Sequence, residues 1–118
     1  KMSRKRLKKM EEIEKEVKKV KIGRKLIFHI IKSKFKITPI VASVLVEKYG
    51  KVTLVGRIKD DKIVFSARSK KENLLEILER IKSEKDLKFQ FGGHEKACGI
   101  EINKKDLNRF LNVFKRYL

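Results

Sequence analysis

Cysteine, proline and tryptophan are nearly missing from this chain, which has one Cys, one Pro and no Trp in 118 residues. The lone thiol, Cys98, excludes an intramolecular disulfide and fits a reducing, cytosolic setting. No apolar run approaches the roughly 20 residues that span a bilayer, and the lysine-rich start has no apolar signal segment. A soluble, cytoplasmic protein with no membrane partner is therefore expected. With one glutamine, Gln90, against abundant Lys and Glu, the composition also leans towards a thermophile. The chain opens on Lys1 rather than Met and is expected to be a piece of a longer polypeptide.

Positive charge is what the sequence has in excess. Lys and Arg number 33 against 15 Asp and Glu, for a net charge of +18, and twelve of the cations fall within the first 25 residues. Such a field favours polyanionic partners, nucleic acid foremost, although solubility and thermophile habit produce it too. Hydrophobic and charged residues each make up 41% of the chain, which is enough apolar material for a core at this length.

The periodicities lay out alternating elements. Leu7, Met10, Ile13, Val17 and Val20 form one thin apolar stripe on a charged helix, read as a connecting or docking helix over residues 1–22. After Gly23, the run Lys25 to Ile31 is rich in strand formers, with His29 expected as a hydrogen-bonded sheet residue rather than a ligand. Thr38-Pro39 predicts the capped start of a helix over 39–49 that ends at Gly50. "KVTLVGRI" and "KIVFSAR" read as a β-hairpin around Lys59-Asp60-Asp61-Lys62. Ser69-Lys70-Lys71-Glu72 matches a capping box before Leu74, Leu75, Leu78 and Ile81. Asn103 to Asp106 is a looser cap before Leu107, Phe110, Leu111, Phe114 and Leu118. The expected order is helix, strand, helix, hairpin, helix, glycine turn, strand, helix. This predicts an α/β fold, with helices packed on a mixed sheet of four or five strands over 23–118, preceded by the amphipathic connecting helix.

Two stretches stand out chemically. In "FGGHEKACG", Gly92 and Gly93 precede His94. Paired glycines before a short helical turn can present N–H groups to an anion, with the histidine donating a further hydrogen bond. The same glycines also fit a tight turn packed on a strand, with His94 exposed incidentally. Upstream, Ser66-Ala67-Arg68-Ser69 ends the hairpin, and Arg68 has the planar fork of a phosphate clamp. His94 and Cys98 could be an i, i+4 metal-ligand pair, but two ligands fall short of a structural zinc site. Phe89, Phe91 and Tyr49 are candidates for stacking on bases, although Phe at alternating strand positions is commonly core.

Together, "IVFSARS" and "FGGHEKACG" resemble the DHH-associated domain, the C-terminal substrate-binding domain of DHH phosphoesterases, and the RecJ-like exonuclease branch above all. The family pattern is Ser-x-Arg-Ser followed by Gly-Gly-His-x-x-Ala-Ala-Gly, with Cys98 here replacing the second alanine. Residues 40–55 also look like the helix and strand that precede these motifs. One departure is that RecJ-like sequences commonly read Gly-Ile-Val-Ala-Ser-Arg where this chain has Pro39-Ile40-Val41-Ala42-Ser43-Val44. The resemblance implies a catalytic DHH domain elsewhere in the parent holding manganese or magnesium, and this domain closing over single-stranded DNA, RNA or a short oligonucleotide. Gly92, Gly93, His94, Arg68 and Ser66 would contact that substrate. This chain has no Asp-His-His motif, and its four aspartates, Asp60, Asp61, Asp86 and Asp106, cannot supply a two-metal cluster with two histidines. No catalytic residue or metal ligand is assigned within it. The resemblance also extends to an inactive replication-associated relative that docks partners such as GINS, in which case the first helix, through Ile13 and Val17, or the sheet edge would carry the interaction.

Overall fold

The structure, a computed structural model, describes residues 3–33, 35–84 and 86–118. The elements run α1 (Arg4–Lys19), β1 (Leu26–Ile31), α2 (Thr38–Tyr49), β2 (Val52–Lys59) and β3 (Lys62–Arg68), then α3 (Leu74–Glu84), β4 (Phe89–His94), β5 (Ala97–Asn103) and α4 (Leu107–Lys115). The five strands form one mixed sheet, as the sequence predicts, and their order is β1-β2-β3-β5-β4. β1 and β2 are parallel, with α2 as their crossover, and every other pairing is antiparallel. The expected glycine turn is replaced by β4, because the stretch that holds Gly92 and Gly93 pairs along its whole length with β5.

Alternation along the strands sends side chains to two faces. One face presents Leu54, Phe65 and Ile100 to Leu74, Leu78 and Ile81 of α3 and to Phe110 and Phe114 of α4, all of them buried in one cluster. Phe110 meets Phe89 edge-on at 5.4 Å and stacks on Phe114 at 5.7 Å. The opposite face presents Ile27, Ile31 and Val55 to Val41, Ala42 and Leu45 of α2 in a smaller cluster. That second layer lies over the β1–β2 side of the sheet.

Local signals explain most element ends, with three corrections. α2 stops where Gly50 takes φ +67 and its N–H reaches Val46 O at 2.8 Å, an ending only glycine adopts readily. Thr38 is the first residue of α2 and not its cap, and its hydroxyl instead accepts from Ser66 Oγ at 3.2 Å. Ser69 does not cap α3: its hydroxyl is spent on Glu72 O at 2.7 Å, and Asn73 Oδ1 accepts from Glu76 N at 3.1 Å. Asn103 opens a 3₁₀ turn over Lys104–Asp106, with no side-chain cap bond.

Ser3 caps the start of α1, its Oγ accepting from Arg6 N at 3.2 Å. Ile13, Val17 and Val20 pack against the α2 cluster, so three of the five stripe residues join the core of this chain. Leu7 and Met10 remain 47% and 45% exposed. A substitution at Ile13 or Val17 would therefore disturb the fold along with any docking.

A buried polar pair holds α1 in place. Glu16 is 5% exposed, its Oε1 lies 2.8 Å from His29 Nε2 on β1, and its Oε2 lies 3.3 Å from Lys19 Nζ. Burial works to raise the Glu16 carboxyl, but the hydrogen bonds and charges of His29 and Lys19 outweigh it and hold the group below its usual value. A depressed carboxyl contributes stability that is complete above the unfolded carboxylate range, near about pH 4.3, and is lost as pH falls through the lower folded value. Glu16→Gln is expected to cost about 1–3 kcal/mol at neutral pH and to flatten the acid limb of the stability curve below about pH 4.5. Urea unfolding at about pH 7 and again at about pH 3.5 checks this. Parallel acid limbs in the two chains would contradict it.

Candidate functional site

The two motifs are well separated in sequence and meet in space through backbone hydrogen bonds. Glu95 and Lys96 turn the chain from β4 into β5. Ser69 N donates to Lys96 O at 3.1 Å, and Leu74 N donates to Glu95 O at 2.8 Å. The turn is thereby fixed to the connection between β3 and α3. Ser66 and Arg68 on β3 then lie two strands from Gly92 and His94, because β5 runs between them.

Register shows which residues share a face. Arg68 pairs with Ala97, which pairs with His94; Ser66 pairs with Gly99, which pairs with Gly92; Val64 pairs with Glu101, which pairs with Gln90. These three rows lie on the face that carries α1 and α2 near β1 and β2. Over β4 and β5 that face is open: Gln90, Gly92, His94 and Gly99 are exposed, and Ala97 and Glu101 half-buried. At ordinary strand spacing the row from Arg68 to His94 spans about 10 Å.

The glycines divide by task. A Cβ on Gly92 would meet nothing within 4 Å, and one on Gly99 would meet only Phe65 O at 3.9 Å, an ordinary contact. Neither glycine is required by the packing, and paired across strands they leave a thin patch of bare backbone on the open face. Gly93 belongs to the other face, beside Cys98. Its φ is +135, and a Cβ there would fall 2.3 Å from Ala97 O and 2.9 Å from Cys98 Cα. Gly93 is a requirement of the hairpin. Because successive N–H groups of a strand point to opposite edges, the two glycines do not form the concave nest that a following helical turn would have made.

The polar candidates differ in availability. His94 is exposed, with its carbonyl accepting from Cys98 Sγ at 3.1 Å. Arg68 is half-buried, with Nη1 donating to Ala67 O at 2.8 Å and Nε to Ser43 Oγ at 3.4 Å. Burial lowers its pKa, yet a guanidinium keeps its charge at neutral pH. Ser66 is 9% exposed, and its hydroxyl is turned beneath α2 onto Thr38. The sequence reading missed Ser43, which sits against Arg68, and the floor residues Ala97 and Gly99. The signal was present in "ACGIEIN", whose alternation places both on one face.

His94 and Cys98 are not an i, i+4 pair on a helix. They sit on opposite faces of a hairpin, and burial pushes the Cys98 thiol up, away from the thiolate that a metal would need. Among the described residues no group of three or more His, Cys, Asp or Glu is placed to hold a metal ion. Phe89 is buried and Phe91 half-buried on the α3 face, where Lys82 Nζ lies 5.5 Å and 5.7 Å from their ring centroids. Neither is presented to the open face. Tyr49 is 38% exposed at the end of α2.

Against known families, the model of the DHHA1 domain matches residues 23–118. The chain belongs to the DHHA1 domain family. A search of curated proteins gives no match. Among solved structures, this DHHA1 domain is similar to RecJ from Thermus thermophilus, determined in complex with Mg2+, at 19% identity and a TM-score of 0.73, covering 95% of this chain and 18% of that one. It is similar to the C-Ala domain of Aquifex aeolicus alanyl-tRNA synthetase at 19% identity and a TM-score of 0.56, over 83% of this chain and 93% of that domain. It is also similar to PggH from Vibrio cholerae, a pGpG-specific phosphodiesterase, at 12% identity and a TM-score of 0.58, over 94% of this chain and 42% of that one. At these identities the likeness is one of fold, and the domain spans less than a fifth of the RecJ chain. Where RecJ-like sequences carry an arginine after Ala-Ser, this domain has Val44, 39% exposed beside Ser43.

Proposed function

We propose that this DHHA1 domain is the substrate-holding part of a RecJ-like phosphoesterase and binds single-stranded DNA, RNA or a short oligonucleotide on the open face of β3, β5 and β4. The observation that carries the reading is the Gly92–Gly99 patch, thinner than the fold requires, lying on the same face one row along the strands from Arg68, Ala97 and His94. Bare backbone lets a phosphodiester approach; Arg68 would turn from Ser43 to clamp it and His94 would donate from the far edge. The general excess of lysine would supply the salt-dependent, sequence-independent part of the affinity. Residues 1–22 would connect this domain to a catalytic DHH domain, and a role in replication or repair in the cytoplasm follows from a RecJ-like parent. RecJ has been solved with Mg2+ and with Mn2+. Among the described residues none are grouped to hold such an ion, and the metal would belong to a catalytic domain of the parent, with no chemical step placed on this chain.

The test is fluorescence anisotropy of a 5′-phosphorylated single-stranded oligonucleotide across a salt series. The Arg68→Ala plus His94→Ala chain is expected to bind about tenfold more weakly than the native chain at fixed salt, or about 1.4 kcal/mol. Equal affinity and equal salt slopes would overturn the reading. A second reading rests on Leu7 and Met10, whose exposure leaves the first half of α1 able to dock a protein such as GINS. Equal affinity in the test above would move attention there.

A further inference from the structure

The open face does not end at the Gly92–Gly99 patch. Along β3 and β5 the row after Val64 and Glu101 pairs Lys62 with Asn103, and β2 adds Lys59 opposite Lys62. Lys88, immediately before β4, lines the same groove as Lys62 and Asn103, which encloses about 470 Å³. A shallower depression of about 270 Å³ lies over Val64, Gly99 and Glu101, and the two share Gln90 and Glu101 as walls. A trough thus runs from Gly99, one row short of Arg68 and His94, to a lysine row at the other end of the strands.

Resting on the function proposed above, we infer that Lys59, Lys62 and Lys88 form a second phosphate subsite for the same single strand, so that the domain holds a segment and not one terminal nucleotide. Arg68 and Lys62 stand at opposite ends of β3, about 20 Å apart at ordinary strand rise. That distance is about six nucleotides at the stacked spacing of about 3.4 Å, and fewer if the strand is extended. Lys59, Lys62 and Lys88 are all exposed. Two carboxylates share the groove, Asp86 and Glu101, and Glu101 lies 3.4 Å from Lys62 Nζ, which holds that ammonium over the sheet. Lys82 is excluded from the subsite because its Nζ donates to Phe89 O at 2.7 Å. Between the two cationic ends lie Gly99, Val64, Gln90 and Glu101, the last of them paired with Lys62, so phosphates would be held at the ends and bases would lie between.

The test uses the 118-residue chain with 5′-phosphorylated oligothymidylates of about two and about eight nucleotides, only the longer of which spans the trough. Lys62→Gln plus Lys88→Gln is expected to weaken the longer ligand about tenfold and to reduce its salt slope by about 1.4, the share of two phosphate contacts on a single strand. Affinity for the dinucleotide should not change. A control with the same loss of charge, Arg109→Gln plus Lys115→Gln on α4, should leave both ligands unaffected. Unchanged binding of the longer ligand, an equal loss for the dinucleotide, or an equal loss in the α4 control would each overturn the inference. Arg68→Ala plus His94→Ala separates the two proposals. If it weakens both lengths while the lysine variant changes neither, only the lysine row falls; if it changes neither length, the function proposed above falls and this inference with it.

Discussion

A Gly93→Val chain is expected to lose at least about 3 kcal/mol of folding stability, enough to threaten a domain of this size. Two independent costs meet at this position. The backbone sits at φ +135, where an L side chain is strained, and the new Cβ would fall 2.3 Å from Ala97 O across the hairpin. The obstacle is backbone on both sides, since Cys98 Cα lies 2.9 Å away, so no flexible side chain can move to relieve it. Any relief would have to shift β4 against β5 and loosen the turn that Ser69 and Leu74 hold. Urea unfolding with an unchanged slope checks the value. A loss below about 1 kcal/mol would show that the hairpin tolerates a different backbone path there.

The neighbouring substitution should behave in the opposite way. Gly92→Val is expected to fold with a stability change under about 1 kcal/mol, because its Cβ meets nothing and valine suits an extended strand. Its binding of a single-stranded oligonucleotide should fall by about tenfold or more, because the isopropyl group would stand where a phosphate must approach the sheet. Gly92 and Gly99 face each other in register, so one bulky side chain at Gly92 covers most of the thin patch. Anisotropy at fixed salt, with stability measured on the same preparation, separates the two effects. Full affinity in a folded Gly92→Val chain would mean that the bare backbone serves only the hairpin.

Much of this was legible in the residues. The hairpin around Asp60 and Asp61, the crossover helix ending at Gly50 and the apolar faces of α3 and α4 follow from period and punctuation, and the structure has them. β4 was not legible because two adjacent glycines read as a turn, whereas pairing along the whole of β5 overrides that local preference. Phe89 and Phe91 two residues apart were the contrary sign. Ser69 and Thr38 were misplaced because hydroxyls suited to capping found closer partners, Glu72 O and Ser66. Glu16 was invisible for a different reason. A glutamate on a charged helix reads as solvent-facing until His29, on another element, is known to lie 2.8 Å away. The site residues were found as motifs, but their division between the two faces, which sets Gly93 apart from Gly92, needed the register.

The most direct test is a titration of the isotopically labelled chain with a 5′-phosphorylated single-stranded oligonucleotide, followed by amide chemical shifts. The largest changes are expected to cluster on Arg68, Gly92, His94, Ala97 and Gly99, with a second group at Lys62 and Lys88, while α3 and α4 stay still. Changes centred on α1, or spread evenly over exposed lysines on every element, would contradict it.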